Sequence, residues 1–302
     1  MHENQLDVDE DLARRLIAAQ FPSLAALPVR RVRTAGTVNT IMRIGEDLVA
    51  RFPLQATAPA ELVAEAAALT EFSSASAFPS PQPFGAGEAT AEYPSAWSVQ
   101  TWVPGEVARP DRHASSASLA EDVATLITSL RRLDQGGRVF DGRGRGGSLR
   151  DHDEWMVHCF AQSAHLIDVP HAERLWAVLH DLPRSGSDVM SHRDLTPPNL
   201  LVSDSTGADR LAGVLDGGAF GPTDPGLDLV AAWHLFDGPA RRVVRERVGA
   251  GNTEWFRGAA WALQQAMGLV WYYEESNPEM SALGLSTLHR LLEDAELGAL
   301  IP

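Results

Sequence analysis

Two stretches constrain this chain more than anything else in it: MSHRDLTPPNLLV over residues 190–202, then GVLDGGAFGPTDPGLD over 213–228. The first sets His192, Arg193 and Asp194 ahead of a loop stiffened by Pro197 and Pro198. Asn199 falls five residues after the aspartate, at the start of a short apolar, β-branched run. The second puts Asp216 at the end of another apolar run, with Gly217 and Gly218 letting the chain turn sharply behind it. If the two runs are paired strands, their ends bring Asp194, Asn199 and Asp216 to one point. An isolated HRD triplet, or one Asp before a glycine pair, is ordinary turn chemistry. The ordered combination is far more restrictive.

That residue set suits one kind of work. Phosphoryl transfer leaves little covalent chemistry to the protein, which must hold Mg²⁺ on the phosphates and orient a hydroxyl. One carboxylate accepts or directs the hydroxyl proton, while a second acid and an amide oxygen hold hard, oxygen-loving cations. Asp194, Asp216 and Asn199 supply three such groups, and HRDxxxxN is the pattern of a kinase catalytic loop.

At 302 residues the chain can bury one large core or two smaller ones. Residues 8–21 carry Leu12, Leu16, Ile17 and Phe21 on one helical face. Strand patterns follow at 29–34, 39–44 and 47–52, then a helix over 58–73. Pro79, Pro81 and Pro83 break that helix, and a further strand over 96–103 stops at Pro104-Gly105. The remainder is mostly helical, with helices expected at 116–134, 152–167, 171–181, 225–236, 240–248, 254–275 and 280–296 and two strands at 200–203 and 211–215. These patterns predict an α+β chain with two lobes: a small, β-rich N-terminal lobe over 1–103 and a larger, mainly helical one over 104–302. The glycine- and arginine-rich segment 136–147 lacks the lysine and the strand–loop–helix setting of a phosphate loop, so it reads as a mobile surface loop.

Charge and composition exclude several functions. Asp and Glu outnumber the basic residues 40 to 25, for a formal charge of −15. Such a surface repels nucleic-acid backbones and anionic lipid and draws in cations. The one cysteine, Cys159, allows neither an intramolecular disulfide nor a multi-thiolate metal site. The acidic N-terminus has no apolar run, and the most apolar helical stretch, 258–273, is too short for a bilayer; a cytoplasmic protein is expected. No lysine occurs anywhere, so every basic residue is an arginine.

On these motifs the chain resembles the aminoglycoside phosphotransferase family of small-molecule kinases, which includes macrolide and homoserine or choline-type enzymes. The resemblance covers nearly the whole chain. TAGTVNTIMRIGEDLVARFP resembles the family's first hairpin and third strand, and ELVAEAAALTEF its lobe-bridging helix. WSVQTWVPG resembles the hinge, SHRDLTPPNLLV the catalytic loop, LDGGAFGPTDPGLDL the metal-binding loop and WYYEESNPEMSALGLSTLHRLLED the C-terminal helical pair. It implies a bilobal protein-kinase-like fold, with Asp194 as catalytic base and Asn199 and Asp216 as Mg²⁺ ligands. Asp228 would brace the loop from below, and His192 would orient its backbone. ATP or GTP would be the phosphate donor. Gly36 would let the first hairpin approach the nucleotide, and backbone groups around Gln100 to Val103 would meet the purine edge.

Three departures stand out. The family's HGD is His192-Arg193-Asp194 here, with the arginine side chain expected to point outward. Its Asp-aromatic-Gly is Asp216-Gly217-Gly218, which removes a packing anchor. Its phosphate-gripping lysine is replaced by Arg51, whose planar fork can still clamp phosphate oxygens if a carboxylate holds it. Glu65 is the expected partner, with Glu61 one turn earlier as the alternative.

The acceptor would be a hydroxylated, cationic small molecule lying against the C-terminal helices. Glu274 and Glu275 would pair with ammonium groups, and Trp271, with Trp155, Trp233, Trp255 and Trp261, would offer apolar area. An antibiotic, aminoglycoside or macrolide, is the expected acceptor; a small metabolite of the homoserine, choline or sugar type is the alternative. The altered loop and absent lysine also raise the reading of a silent nucleotide-binding pseudokinase. A protein kinase is disfavoured, because Asp216 runs within a few residues into Asp228 with no activation segment between.

Overall fold

The structure, a computed structural model, describes residues 5–32, 38–204 and 207–301. Its first part is built on a five-stranded antiparallel sheet of β1 (Val29–Val32), β2 (Asn39–Ile44), β3 (Leu48–Pro53), β4 (Pro83–Gly87) and β5 (Trp97–Thr101), in the order β1-β2-β3-β5-β4. Along β2 the alternation is direct: Thr40, Met42 and Ile44 are buried, and the residues between them only half so. Helix α1 (Glu10–Gln20) starts where the Asp9 carboxylate accepts the Leu12 N–H at 2.7 Å, and it lays Ala13, Leu16 and Ile17 against the sheet. Phe52 and Trp97 stack at 4.7 Å in this core, with Tyr93 edge-on to Phe52 at 5.3 Å.

Helix α2 (Pro59–Ala75) crosses from this sheet to the rest of the molecule. Strand β4 escapes sequence patterning because PFGAG reads as a turn. As an edge strand, however, it tolerates Pro83 at its first position, and Gly87 admits the Trp97 indole where any Cβ would collide with it.

Beyond β5 come β6 (Glu106–Val107), α3 (Pro110–His113), α4 (Ala117–Arg131), α5 (Asp153–Ser163) and α6 (Val169–Leu179). Four short strands follow: β7 (Val189–Ser191), β8 (Leu200–Ser203), β9 (Arg210–Val214) and β10 (Gly221–Thr223). The chain ends in α7 (Val230–Leu235), α8 (Gly238–Val248), α9 (Asn252–Tyr272), α10 (Pro278–Leu292) and α11 (Ala295–Gly298). The helix expected from 225 begins only at Val230, because Asp224-Pro225-Gly226 makes a turn and 227–229 form a 3₁₀ turn. No described helix is long and apolar enough to cross a membrane.

Two hydrophobic cores result. One joins α1 to the sheet through Ile17, Met42, Phe52 and Trp97; the other fills the helical part around Trp233, Trp261 and Leu263. Phe72 of α2 belongs to the second core, so this helix packs into both halves. Three of the five tryptophans considered for acceptor binding, Trp233, Trp255 and Trp261, are buried there as packing residues.

The strand pairing explains the site. β8 pairs with β9 and β7 with β10, both antiparallel. The loop 192–199 runs from β7 to β8, and the loop 215–220 from β9 to β10. Two paired-strand units therefore hold two loops side by side.

Candidate active site

The first loop is fixed from beneath. The Asp228 carboxylate, 2% exposed, accepts from Ser191 Oγ at 2.8 Å, from the His192 N–H at 3.0 Å and from the Arg193 N–H at 3.2 Å. His192 is fully buried. Its Nε2–H donates to the Leu215 carbonyl at 2.8 Å and its Nδ1 accepts the Asp194 N–H at 3.3 Å, so one ring ties the two loops together. Asn199 closes the far end, its Nδ2 donating to the Asp194 backbone oxygen at 2.8 Å and to Asp194 Oδ2 at 3.2 Å. The Leu215 N–H donates to the Asn199 carbonyl at 2.8 Å, which carries Asp216 alongside.

Asp216 sits in left-handed backbone, φ 61°, and Arg193 likewise at φ 72°; they are the two non-glycine residues of that kind among the described residues. Such a conformation costs about 1–3 kcal/mol where it is not glycine, and it persists only where the surroundings hold it. Both fall in this site.

What holds the second loop is α2. A Cβ on Gly217 would lie 2.5 Å from Phe72 Cδ1, and one on Gly218 would strike Glu65 Cγ. The glycines thus let Phe72 press onto the loop, edge-on to His192 at 5.2 Å and to Phe220 at 5.5 Å. The aromatic anchor lost from Asp216-Gly217-Gly218 has counterparts in Phe72 and Phe220, outside the motif. From the sheet, Arg51 of β3 donates to Glu65 at 2.8 Å and to Asp216 at 2.9 Å. Glu61 is exposed and is not its partner.

Arg193 corrects an expectation. Its side chain does not point outward: it is 16% exposed, donates to Asp141 Oδ1 at 3.0 Å and to the Arg143 carbonyl at 2.6 Å, and covers the Phe140 ring at 5.2 Å. Left-handed backbone at 193 aims the side chain along the loop, where the segment 136–147 awaits it. That segment is no free surface loop. The Phe140 N–H donates to Asp188 at 2.8 Å, and the Asp224 N–H to the Gly146 carbonyl at 3.1 Å. Arg257, buried on α9, donates to the Gly147 carbonyl at 3.3 Å and to Asp224 Oδ2 at 2.7 Å. The clamp sets the Arg145 guanidinium 3.1 Å from Asp194 Oδ1. Nothing in the spacing of a glycine-rich loop 49 residues before the aspartate announces Arg145; the surplus of arginine over every other basic residue type was the only hint. Burial, and after it the Arg145 charge, push the His152 pKa down.

The other anticipated residues spread wider. Gly36 lies outside the described residues. Gln100 is buried within β5, between Val49 of β3 and Pro83 of β4, whereas Val103 lies past the strand end and packs against Gly213. Glu274 pairs with His165 at 3.1 Å, and Glu275 is exposed next to it, at the far end of α9 from Arg257 and Trp261. Trp271 stands on the same end, edge-on to His158 at 5.1 Å and 6.0 Å from Trp155. None of these three joins the Asp194 cluster directly.

The cluster can therefore offer a carboxylate (Asp194) held beside an amide (Asn199), a second carboxylate (Asp216) and two guanidinium groups (Arg51 and Arg145). No group of three or more His, Cys, Asp and Glu is placed to hold a metal among the described residues. One or two carboxylates and an amide oxygen, completed by water and phosphate, are nonetheless the donor set Mg²⁺ takes in nucleotide sites, so these residues fit it.

Comparison with known proteins gives the same architecture. The sequence model of a family described as the phosphotransferase enzyme family matches residues 29–261. Among solved structures, the GDP and kanamycin complex of APH(2″)-IIia aligns with a TM-score of 0.70 at 18% identity, over 92% of this chain and 97% of that one. The GDP complex of wild-type aminoglycoside 2′-phosphotransferase-IIIa aligns with 0.66 at 16% identity, over 94% and 99%. Macrolide 2′-phosphotransferase MphH from Brachybacterium faecium, as apoenzyme, aligns with 0.60 at 16% identity, over 92% and 97%. No curated protein sequence matches the chain.

Proposed function

The chain belongs to the phosphotransferase enzyme family, and from that premise we propose that it moves the γ-phosphate of ATP or GTP onto a hydroxyl of a small molecule, an aminoglycoside or macrolide antibiotic before a metabolite. One observation carries the reading. Asp194, Asn199, Asp216 and Arg51 are linked through contacts of 2.8–3.2 Å, where the sheet meets the paired loops. Mg²⁺, when bound, would neutralise charge on the donor phosphates and bridge them to the protein.

The residues divide the remaining work. Asp194 takes the acceptor hydroxyl as a hydrogen-bond donor and accepts its proton as the oxygen attacks. Asn199, whose amide nitrogen is spent on Asp194, has its oxygen left for the cation, and Asp216 supplies the charged ligand. Arg51, steadied by Glu65, grips donor phosphate oxygens with the fork that lysine lacks. His192 and Asp228 keep the loop in place, and backbone near Val103 faces the purine. Val103 suits this better than Gln100, which is enclosed by its neighbouring strands. Phe72 and Phe220 brace the loop of Asp216, which speaks for an active enzyme over a silent nucleotide-binding one.

For the acceptor, α5 carries Trp155, 6.0 Å from Trp271 of α9, and Glu274 and Glu275 follow just past the end of α9. A large acceptor anchored on those rings, with an amine near the acids, would extend its hydroxyl back to Asp194. The test is transfer of labelled γ-phosphate from ATP and from GTP to a panel of aminoglycosides, macrolides and small hydroxylated metabolites. Product on an antibiotic supports the reading; product on metabolites alone replaces the acceptor class; donor-independent inertness towards every acceptor contradicts it.

A further inference from the structure

Resting on that reading of the site, we infer that Arg145 is a further catalytic residue, an arginine delivered by the loop 136–147 onto the phosphoryl group in transfer. Its guanidinium lies 3.1 Å from Asp194 Oδ1, at the point where the proton-accepting carboxylate must meet the attacking hydroxyl. The transferring phosphorus has to pass within a few ångströms of that carboxylate. A side chain that reaches Asp194 reaches the equatorial oxygens of the phosphoryl group by a small rotation.

The loop is built to hold it there. Gly146 and Gly147, the next two residues, are fixed through their carbonyls by the Asp224 N–H and by Arg257, while Arg193 holds Asp141 and the Arg143 carbonyl on the other side. Arg257 and Asp224 are themselves buried, at 2% and 0% exposed, in an ion pair braced by the Trp261 indole at 3.0 Å. A buried ion pair on one flank and an arginine clamp on the other thus converge on one half-buried arginine. Charge gives the reason. Arg51 is the other guanidinium of the cluster and is engaged on the donor side with Glu65 and Asp216. Between Asp194 and Asn199 the loop itself carries Leu195, Thr196, Pro197 and Pro198, none of them basic. Among the described residues no other basic side chain pairs with Asp194, so Arg145 is the cation at hand for the negative charge of the transition state.

In the step, the acceptor oxygen bonds to the γ-phosphorus as the bond from that phosphorus to the β–γ bridging oxygen breaks. The electron pair stays on the departing nucleoside diphosphate, and the hydroxyl proton passes to Asp194. Arg145 exchanges Asp194 for the equatorial oxygens, to which its N–H groups donate. The exchange also frees Asp194 to accept the proton.

The test compares Arg145→Ala and Arg145→Lys with the unsubstituted protein in two measurements: steady-state transfer, and calorimetric binding of nucleoside diphosphate with and without fluoroaluminate, which takes the planar form of the phosphoryl group in flight. We expect kcat to fall about 10²–10³-fold in Arg145→Ala, less in Arg145→Lys, with partial recovery of Arg145→Ala by added guanidinium. Diphosphate binding should stay within about twofold, while the gain from fluoroaluminate is lost. Unchanged or raised kcat, with the fluoroaluminate gain intact, overturns the inference and leaves Arg145 as a mere cover on Asp194. Equal loss of diphosphate binding with and without fluoroaluminate overturns it too, marking a structural role. If Asp194→Asn abolishes transfer while Arg145→Ala does not, only this inference fails; if the unsubstituted protein transfers no phosphate, the reading beneath it fails.

Discussion

Asp216 accepts a hydrogen bond from Arg51 at 2.9 Å, across 165 residues of sequence. The contact joins the sheet to the loop 215–220, and the second fork of the same guanidinium reaches Glu65 at 2.8 Å. Phosphate at Arg51 and a cation at Asp216 would each take one member of this pair.

Arg51→Lys should therefore bind nucleotide about tenfold more weakly, because one ammonium cannot hold Glu65 and a phosphate with separate forks. Arg51→Ala should lose about a hundredfold. Titration of a fluorescent nucleotide, at fixed Mg²⁺, checks both.

Asp216→Asn keeps the size of the side chain and removes its charge. Nucleotide affinity of the unsubstituted protein should rise steeply with Mg²⁺, by about tenfold or more, and that rise should disappear in the variant. Calorimetry with and without a chelator reads the difference.

The two glycines after Asp216 should behave differently. Gly217→Ala drives a methyl into the buried Phe72 ring and should lower stability by about 1–3 kcal/mol, seen as a lower melting temperature. Gly218→Ala meets the flexible Glu65 instead. It should leave melting within about 1 kcal/mol of the unsubstituted protein and weaken nucleotide binding by displacing the partner of Arg51.

His234 sets a pH dependence of stability. It is fully buried, 2.8 Å from Thr287 Oγ1 and 2.8 Å from Gln265 Oε1, and burial lowers its pKa from the ordinary 6.5 to about 4. Between those values the unfolded chain binds a proton that the folded one refuses, so stability is full above about 6.5 and falls as pH drops towards 4. The loss from this group is on the order of 3 kcal/mol. Denaturation midpoints measured across that range should fall less steeply in His234→Gln.

Sequence and structure agree where local pattern and site coincide. The apolar, branched run of β2 and the helical spacing of α1 made those elements readable. The motif residues of the two loops were readable because each carries chemistry that spacing alone arranges. Strands β7 and β10, three residues each, were not, since so short a run has no period, yet they set the loops side by side. Arg145 and the inward turn of Arg193 depend on left-handed backbone at 193 and on the buried Asp224–Arg257 pair, contacts between segments far apart in the chain. Phe72 looked like one apolar position of a helix; only the packing shows that it supports the loop of Asp216.

The most direct test is of Asp194. Asp194→Asn should transfer phosphate about 10²–10⁴ times more slowly in a single turnover, with nucleotide affinity and melting temperature essentially unchanged. A variant that folds, binds nucleotide and transfers phosphate at close to the unsubstituted rate would contradict the account at its centre.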